Sequence, residues 1–325
     1  MKGLPLNTIQ GKDFLKNLTA NYSHWLSFII LLIVAIVVSP SFLAWNNIAN
    51  LFVQGAVIGI CAMGMSLVIS AGMIDLSVGS IVALISGFGV SVLNNTHSIV
   101  LTLLFCIGSG VILGLVNGLL VTKGRIAPFI VTLATMSAWR SVINQMGQGG
   151  PFTVDNQMYA PFRNIAAGRF FGIPHLMIFF IIISFITAML MSKTKFGTYV
   201  YAVGSNQQAA RLSGINVDRI KMFIFTYAGT LYGLSAFLLA SRLTSIQAAS
   251  AGSGYEMDAI AAVAIGGTSM EGGKGKIIGT FLGVLMLRII NTVLIMANVP
   301  PFLNGLVTGI IIIVAVLAQS TKKGR

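Results

Sequence analysis

The sequence predicts an all-α, polytopic transmembrane helix bundle of about ten spans, with the N- and C-termini cytoplasmic. Three observations carry this. Of the 325 residues, 56% are hydrophobic and only 8% charged, against about 25% charged in a soluble domain. The mean hydropathy is +0.91. Apolar runs recur near 25–40, 49–70, 77–93, 98–121, 127–146, 174–192, 220–241, 255–268, 276–297 and 302–319. The net charge of +13 is scattered between these runs rather than gathered on one face. That argues against nucleic-acid binding and fits cationic cytoplasmic loops.

In chain order, residues 1–24 read as a cytoplasmic tail carrying Lys2, Lys12 and Lys16. The run that follows has signal-peptide character, but it ends in "SPSFLAWNN" without an A-x-A site and is read as an uncleaved first helix. The transmembrane domain is placed at 25–319, with a cytoplasmic loop at 193–221 and a cytoplasmic tail at 320–325. Counted with the N-terminus inside and alternating, the inside segments hold fifteen cations and the outside segments three, Arg163, Arg169 and Arg242. The third and eighth runs are weak by hydropathy. Removing both would send the cation-rich 193–221 loop outside, so both are kept. Trp25 falls near an inner end and Trp45 and Trp139 near outer ends, as interfacial anchors do. Cys61 and Cys106 lie inside apolar runs and read as small buried hydrophobes. The 36 glycines favour close helix approach and a compact bundle. The long outer connection 147–173 is open between a plain loop, a cap on the bundle and a docking surface.

Catalytic patterns are absent. No G-x-x-x-x-G-K-[ST] phosphate loop, H-E-x-x-H or G-x-S-x-G occurs, and His24, His97 and His175 are far apart. The chain therefore reads as no enzyme, with no catalytic residue, no metal ligands and no cofactor of its own.

Polar chemistry concentrates in three places. "MIDLSVGS" (73–80) carries Asp75 and Ser77. Asp75 reads mainly as a cytoplasmic helix-start residue that stabilises free backbone N–H groups, with direct substrate contact the alternative. "GSGYEMDAIAAVAIGGTSMEGGKGK" (252–276) carries Glu256 and Asp258, placed near the first turn of the eighth helix on the outer side, with substrate contact and structural anchoring both open. Its glycine-rich end reads as a tight inner turn between two helices. In the 193–221 loop, "NQQAARLSG" reads as a short helix closed by Gly214, suited to docking another protein or serving as a plain loop.

These segments together resemble the membrane permease subunit of bacterial ATP-binding-cassette importers, ribose-type sugar branch. "IDLSVGS", "NQQAARLSGINVDRIK" and "GYEMDAIAAVAIGGTSMEGGKGKIIGT" occur in the family's order, and "WNNIANL" and "KGRIAPFIVTLATM" also fit. Met73 stands where a glycine is usual, and Ser205 and Gln207 replace a Gly and an acidic residue, so no acidic contact is expected there. The resemblance implies a second permease chain, identical or paralogous, and cytosolic ATPase subunits that bind the ATP. It also implies an external binding protein, a sugar cargo and a place in the bacterial cytoplasmic (inner) membrane, against membrane lipid. It makes Gly204, Asn206, Ala209, Ala210, Arg211, Leu212, Ser213 and Gly214 the ATPase-coupling helix, with Arg211 the foremost contact. The competing readings are the same importer with an amino acid, nucleoside or signalling sugar derivative as cargo, and an ion-coupled secondary carrier. The carrier is disfavoured because the acids fall at expected helix ends and Arg288 is the one charge placed mid-helix.

Overall fold

The computed structural model describes residues 25 and 27–297, together with 299, 300, 303, 305–307, 309, 310 and 313. Both tails and most of the tenth apolar run lie outside the described residues. Besides the described residues at 305–307, 309, 310 and 313, which are helical as well, twelve α-helices follow one another over Ser27–Met296. They are α1 (Ser27–Val38), α2 (Trp45–Ser70), α3 (Val78–Thr96), α4 (Ile99–Thr122), α5 (Pro128–Gly147), α6 (Asn156–Ala167), α7 (His175–Lys193), α8 (Lys195–Ser205), α9 (Gln207–Leu212), α10 (Val217–Leu243), α11 (Tyr255–Ile265) and α12 (Ile277–Met296). Two short antiparallel ladders interrupt them. In one, β1 (Pro151–Thr153) pairs with β4 (Ser245–Gln247), Phe152 opposite Ile246. In the other, β2 (Arg169–Phe170) pairs with β3 (Ile173–Pro174).

Among the described residues, α2, α3, α4, α7, α10 and α12 are long and apolar enough to cross a membrane. The chain is thus an all-α polytopic protein. α2 is buried over 83% of its apolar window and α4 over only 22%, which puts α2 in the middle of the bundle and α4 at its edge. Val100, Leu104 and Ile112 of α4 and Ile182, Phe185 and Met189 of α7 are exposed and suit contact with lipid. Lipid tails are as apolar as these side chains, so helix association rests on close packing of small residues rather than on hydrophobic transfer.

The two ends of the bundle differ. At one end the loops 71–77, 123–127 and 266–276 gather with α8 and α9. There the Gly273 N–H donates to the Ser70 carbonyl at 2.9 Å, and the Tyr201 hydroxyl donates to the Gly275 carbonyl at 2.8 Å. This is the cationic end, and "GGTSMEGGKGK" forms the tight turn expected between α11 and α12. At the other end the β1–β4 ladder and α6 lie over the helices. The Ser241 hydroxyl donates to the Phe162 carbonyl at 2.6 Å and accepts from the Ala166 N–H at 3.1 Å. The 147–173 connection is therefore a structured cap, with Phe162 and Ala166 buried beneath it.

One helix stops short. α11 has 11 residues, roughly 16 Å at 1.5 Å per residue, about half of a ~30 Å hydrocarbon core. The expected eighth span is a half-helix, and the chain from Ala248 to Gly254 turns back into the bundle to reach it. α3 begins only at Val78, after a run without regular structure from Met73 to Ser77. Irregular backbone at such depth is tolerated where protein buries it or where it lines a cavity.

Candidate functional site

The irregular run before α3 sets the position of Asp75. The carboxyl is 1% exposed and its Oδ1 accepts from the Ser77 N–H at 2.9 Å and the Ser77 hydroxyl at 2.6 Å. Ser77 Oγ in turn accepts from Asn117 Nδ2 of α4 at 2.9 Å, and the Ser80 hydroxyl donates to the Ser77 carbonyl at 2.8 Å. Asn117 stands five residues before the end of α4, so this network lies roughly 8 Å inside the cationic end. Asp75 thus lies just before the helix start, as the sequence placed it, but fully buried. Ser77, not Asp75, occupies the N-cap, and α3 starts three residues later than Asp75. The buried Tyr232 hydroxyl neighbours the carboxyl electrostatically but forms no hydrogen bond of sound geometry.

Among the described residues Asp75 makes no ion pair, so its role there is that of an acceptor. Asp75→Asn keeps an acceptor oxygen and is expected to assemble and transport like the parent. Asp75→Leu strands the Ser77 donors and is expected to cost about 1–3 kcal/mol, seen as a lower thermal midpoint in detergent. Equal midpoints for the two variants would refute the assignment.

Glu256 and Asp258 do sit in the first turn of α11, but not on the outer side. Ile265 ends α11 beside the α12 start, where a Cβ on Gly266 would collide with Gly279. Asp258 is seven residues back from Ile265, roughly 10 Å inside the cationic end. Its Oδ2 accepts from Arg288 Nη2 at 2.6 Å. Arg288 is the mid-helix cation of the sequence, and the structure supplies the partner that an intramembrane charge requires.

Glu256 faces another way, into a half-open cleft of about 410 Å³ between α3, α5 and the 248–254 turn. Ser80, Ser137, Arg140, Ser141 and Ser253 line it with Glu256. Arg140 Nη1 donates to the carbonyls of Ala248 at 3.1 Å and Ala251 at 2.8 Å, and its charge interacts with that of Glu256. Of this group, sequence reasoning named only Glu256 and missed Ser80, Ser137, Arg140, Ser141 and Ser253. The available signal was Ser137, Arg140 and Ser141 at i, i+3 and i+4, one face of a helix, on the run that falls below the apolarity of a simple span.

At the cationic end, α9 is fixed by the Asn206 side chain, whose Oδ1 accepts from the Gln208 N–H at 2.9 Å and the Ala209 N–H at 3.0 Å. It closes at Gly214, whose φ of +82° suits glycine alone. Ala209, Arg211, Ser213 and Gly214 are exposed, and Leu212 is 91% exposed. Arg211 meets Asp218 at 3.4 Å on the open surface, a pair worth about 0–1 kcal/mol and easily exchanged for another partner. Ala210 is buried at 4%, and a Cβ on Gly204 would run into the Ser70 carbonyl and Gly273. These two residues hold the helix to the bundle rather than present it. Within the described residues no three His, Cys, Asp or Glu gather as a metal site.

Comparison with known proteins identifies the family. Residues 47–316 match the family described as branched-chain amino acid transport system / permease component. The chain is 42% identical to a ribose import permease protein of Bacillus subtilis over 322 residues, 99% of each chain. It is 35% identical to the ribose import permease protein of Escherichia coli K12 over 97% of this chain and 99% of that one. It is 34% identical to an L-arabinose ABC transporter permease protein of Azospirillum brasilense over 92% of this chain and 87% of that one. No solved structure matches.

Proposed function

The chain belongs to the branched-chain amino acid transport system / permease component family, and from that premise we propose that it forms the translocation pathway of an ATP-driven sugar importer. The ribose and L-arabinose named for its relatives support a pentose-class cargo, delivered by an external binding protein. Cytosolic ATPase subunits supply the energy and a second permease chain completes the pore. The bundle is placed in the bacterial inner membrane with the cationic end toward the cytoplasm, both termini there, and about ten spans within 25–319.

The observation that carries this reading is α9. It is a short helix, capped at both ends, with an apolar side chain held almost wholly in solvent at the cationic end. A leucine so exposed is apolar surface that a protein groove would cover, and the neighbouring Arg211 is of a type enriched at binding hot spots. Behind it, α8 rests through Gly204 and Tyr201 on Ser70, Gly273 and Gly275. Those residues adjoin the irregular run before α3 and the turn between α11 and α12. A push on α9 therefore reaches the start of α3 and the end of α11, which is what alternating access needs of a coupling element.

Leu212→Glu is the test, in vesicles holding the permease, its ATPase and its binding protein. ATP-dependent ribose uptake is expected to fall by roughly tenfold or more, the loss of a hot-spot contact of about 2 kcal/mol, with membrane insertion intact. Arg211→Glu should act in the same direction. Uptake at the parental rate in cells lacking any partner ATPase would sink the proposal.

A further inference from the structure

We propose that the cleft between α3, α5 and the 248–254 turn is where the cargo contacts this subunit, and that the outward face of α5 lines the aqueous path. This rests on the permease reading above and goes beyond it by naming the surface. Depth is the first argument. Ser137, Arg140 and Ser141 lie nine, twelve and thirteen residues into α5, roughly 14–20 Å from the cationic end. Glu256, nine residues back from the end of α11, lies roughly 14 Å from it. Two elements of opposite direction thus set polar side chains near the middle of a ~30 Å core.

Orientation is the second argument. The bundle-facing side of α5 is buried through Val131, Thr132, Thr135 and Ile143. Ser137 and Ser141 are exposed on the other side, and Arg140 is half-buried there. A guanidinium, a carboxylate and several hydroxyls opening outward at that depth do not suit hydrocarbon. They suit water and a second copy of the chain across it. Ile130 and Leu133 are exposed on the same helical face, one to two turns nearer the cationic end, and provide an apolar constriction below the polar cleft.

Chemistry is the third. A neutral polyhydroxylated molecule offers donors and acceptors together. Glu256 accepts, the part of Arg140 not bonded to Ala248 and Ala251 donates, and the serines do both. The cleft is large enough for one monosaccharide.

Ser137→Cys and Ser141→Cys test the assignment in the assembled importer, in vesicles treated with a small membrane-impermeant sulfonated thiol reagent. Native Cys61 and Cys106 are fully buried, so the parent supplies the baseline. Both variants are expected to react roughly tenfold faster than Phe185→Cys on the lipid-suited face of α7, in either the ATP-free or the vanadate-trapped state. The added sulfonate should then block ribose uptake. Reaction no faster than Phe185→Cys, or reaction without loss of uptake, overturns the proposal. ATP-driven uptake by the untreated parent reports separately on the permease reading.

Discussion

Gly229→Val is expected to abolish the folded protein rather than weaken it. α4 and α10 meet along Gly110, Gly114 and Gly118 on one side and Gly229 and Gly233 on the other. A Cβ at Gly229 would collide with the Gly110 carbonyl and stand 2.8 Å from the Gly114 Cα. At Gly114 it would collide with the Phe225 carbonyl, and at Gly233 with that of Cys106. All these obstacles are backbone, so no rotamer change relieves them. The helices would have to part, and the van der Waals and Cα–H···O contacts of the seam would go together. The cost should exceed the about 1–3 kcal/mol typical of overpacking a compliant core. Gly108 lies on α4 beside the seam, and a Cβ there would meet nothing within 4 Å, so Gly108→Val is the control. Monodisperse protein after detergent extraction should be near parental for Gly108→Val and near zero for Gly229→Val. Comparable yields would mean that the seam does not hold the bundle.

The fold class was legible because hydropathy and length are one-dimensional signals. The segments at 49–70, 98–121, 174–192 and 276–297 match α2, α4, α7 and α12 within a few residues. Charge asymmetry was legible for the same reason, and it gathered the segments that meet at the cationic end. The half-helix was legible only as a weak run. Glu256 and Asp258 interrupt the apolar character of 255–268, and only α11 within it is helical, because Gly266 and Gly267 end it at the α12 start. The stretch before it is glycine- and serine-rich loop that re-enters the bundle. Depth then follows from tertiary contact, not from sequence. Asp75 read as a helix-start residue at the cytoplasmic side because a carboxylate before an apolar run usually is one. Its complete burial was not legible, because the irregular backbone of 73–77 carries it inward. Glu256 and Asp258, two residues apart, point to different surroundings, one to the cleft and one to Arg288, and no spacing rule assigns which goes where.

Arg288→Met is expected to cost about 3–5 kcal/mol, the usual result of removing one partner from a buried pair. The side chains of Arg288 and Asp258 are 12% and 28% exposed, and a Cβ on Gly55 of α2 would lie 3.2 Å from the Arg288 Cγ. The guanidinium therefore crosses from α12 to α11 with its stem packed over α2. Once it is gone, Asp258 remains as a lone carboxylate inside the bundle, and the first turn of α11 loses its tie to α12. Asp258→Asn alone removes the carboxylate charge but leaves the cation unpaired, and should be destabilising too. The double variant Asp258→Asn, Arg288→Met removes both charges at similar volume. It is expected to recover most of the thermal midpoint in detergent, because an apolar replacement of a buried pair is often close to neutral. If the losses of the single variants simply add in the double, the two residues do not act as a pair. The same set separates stability from transport. Glu256 is two residues from Asp258, so a double variant that folds but imports slowly would mean that the pair also holds the start of α11 against the cleft. Full uptake by that variant would confine the ion pair to holding the bundle together.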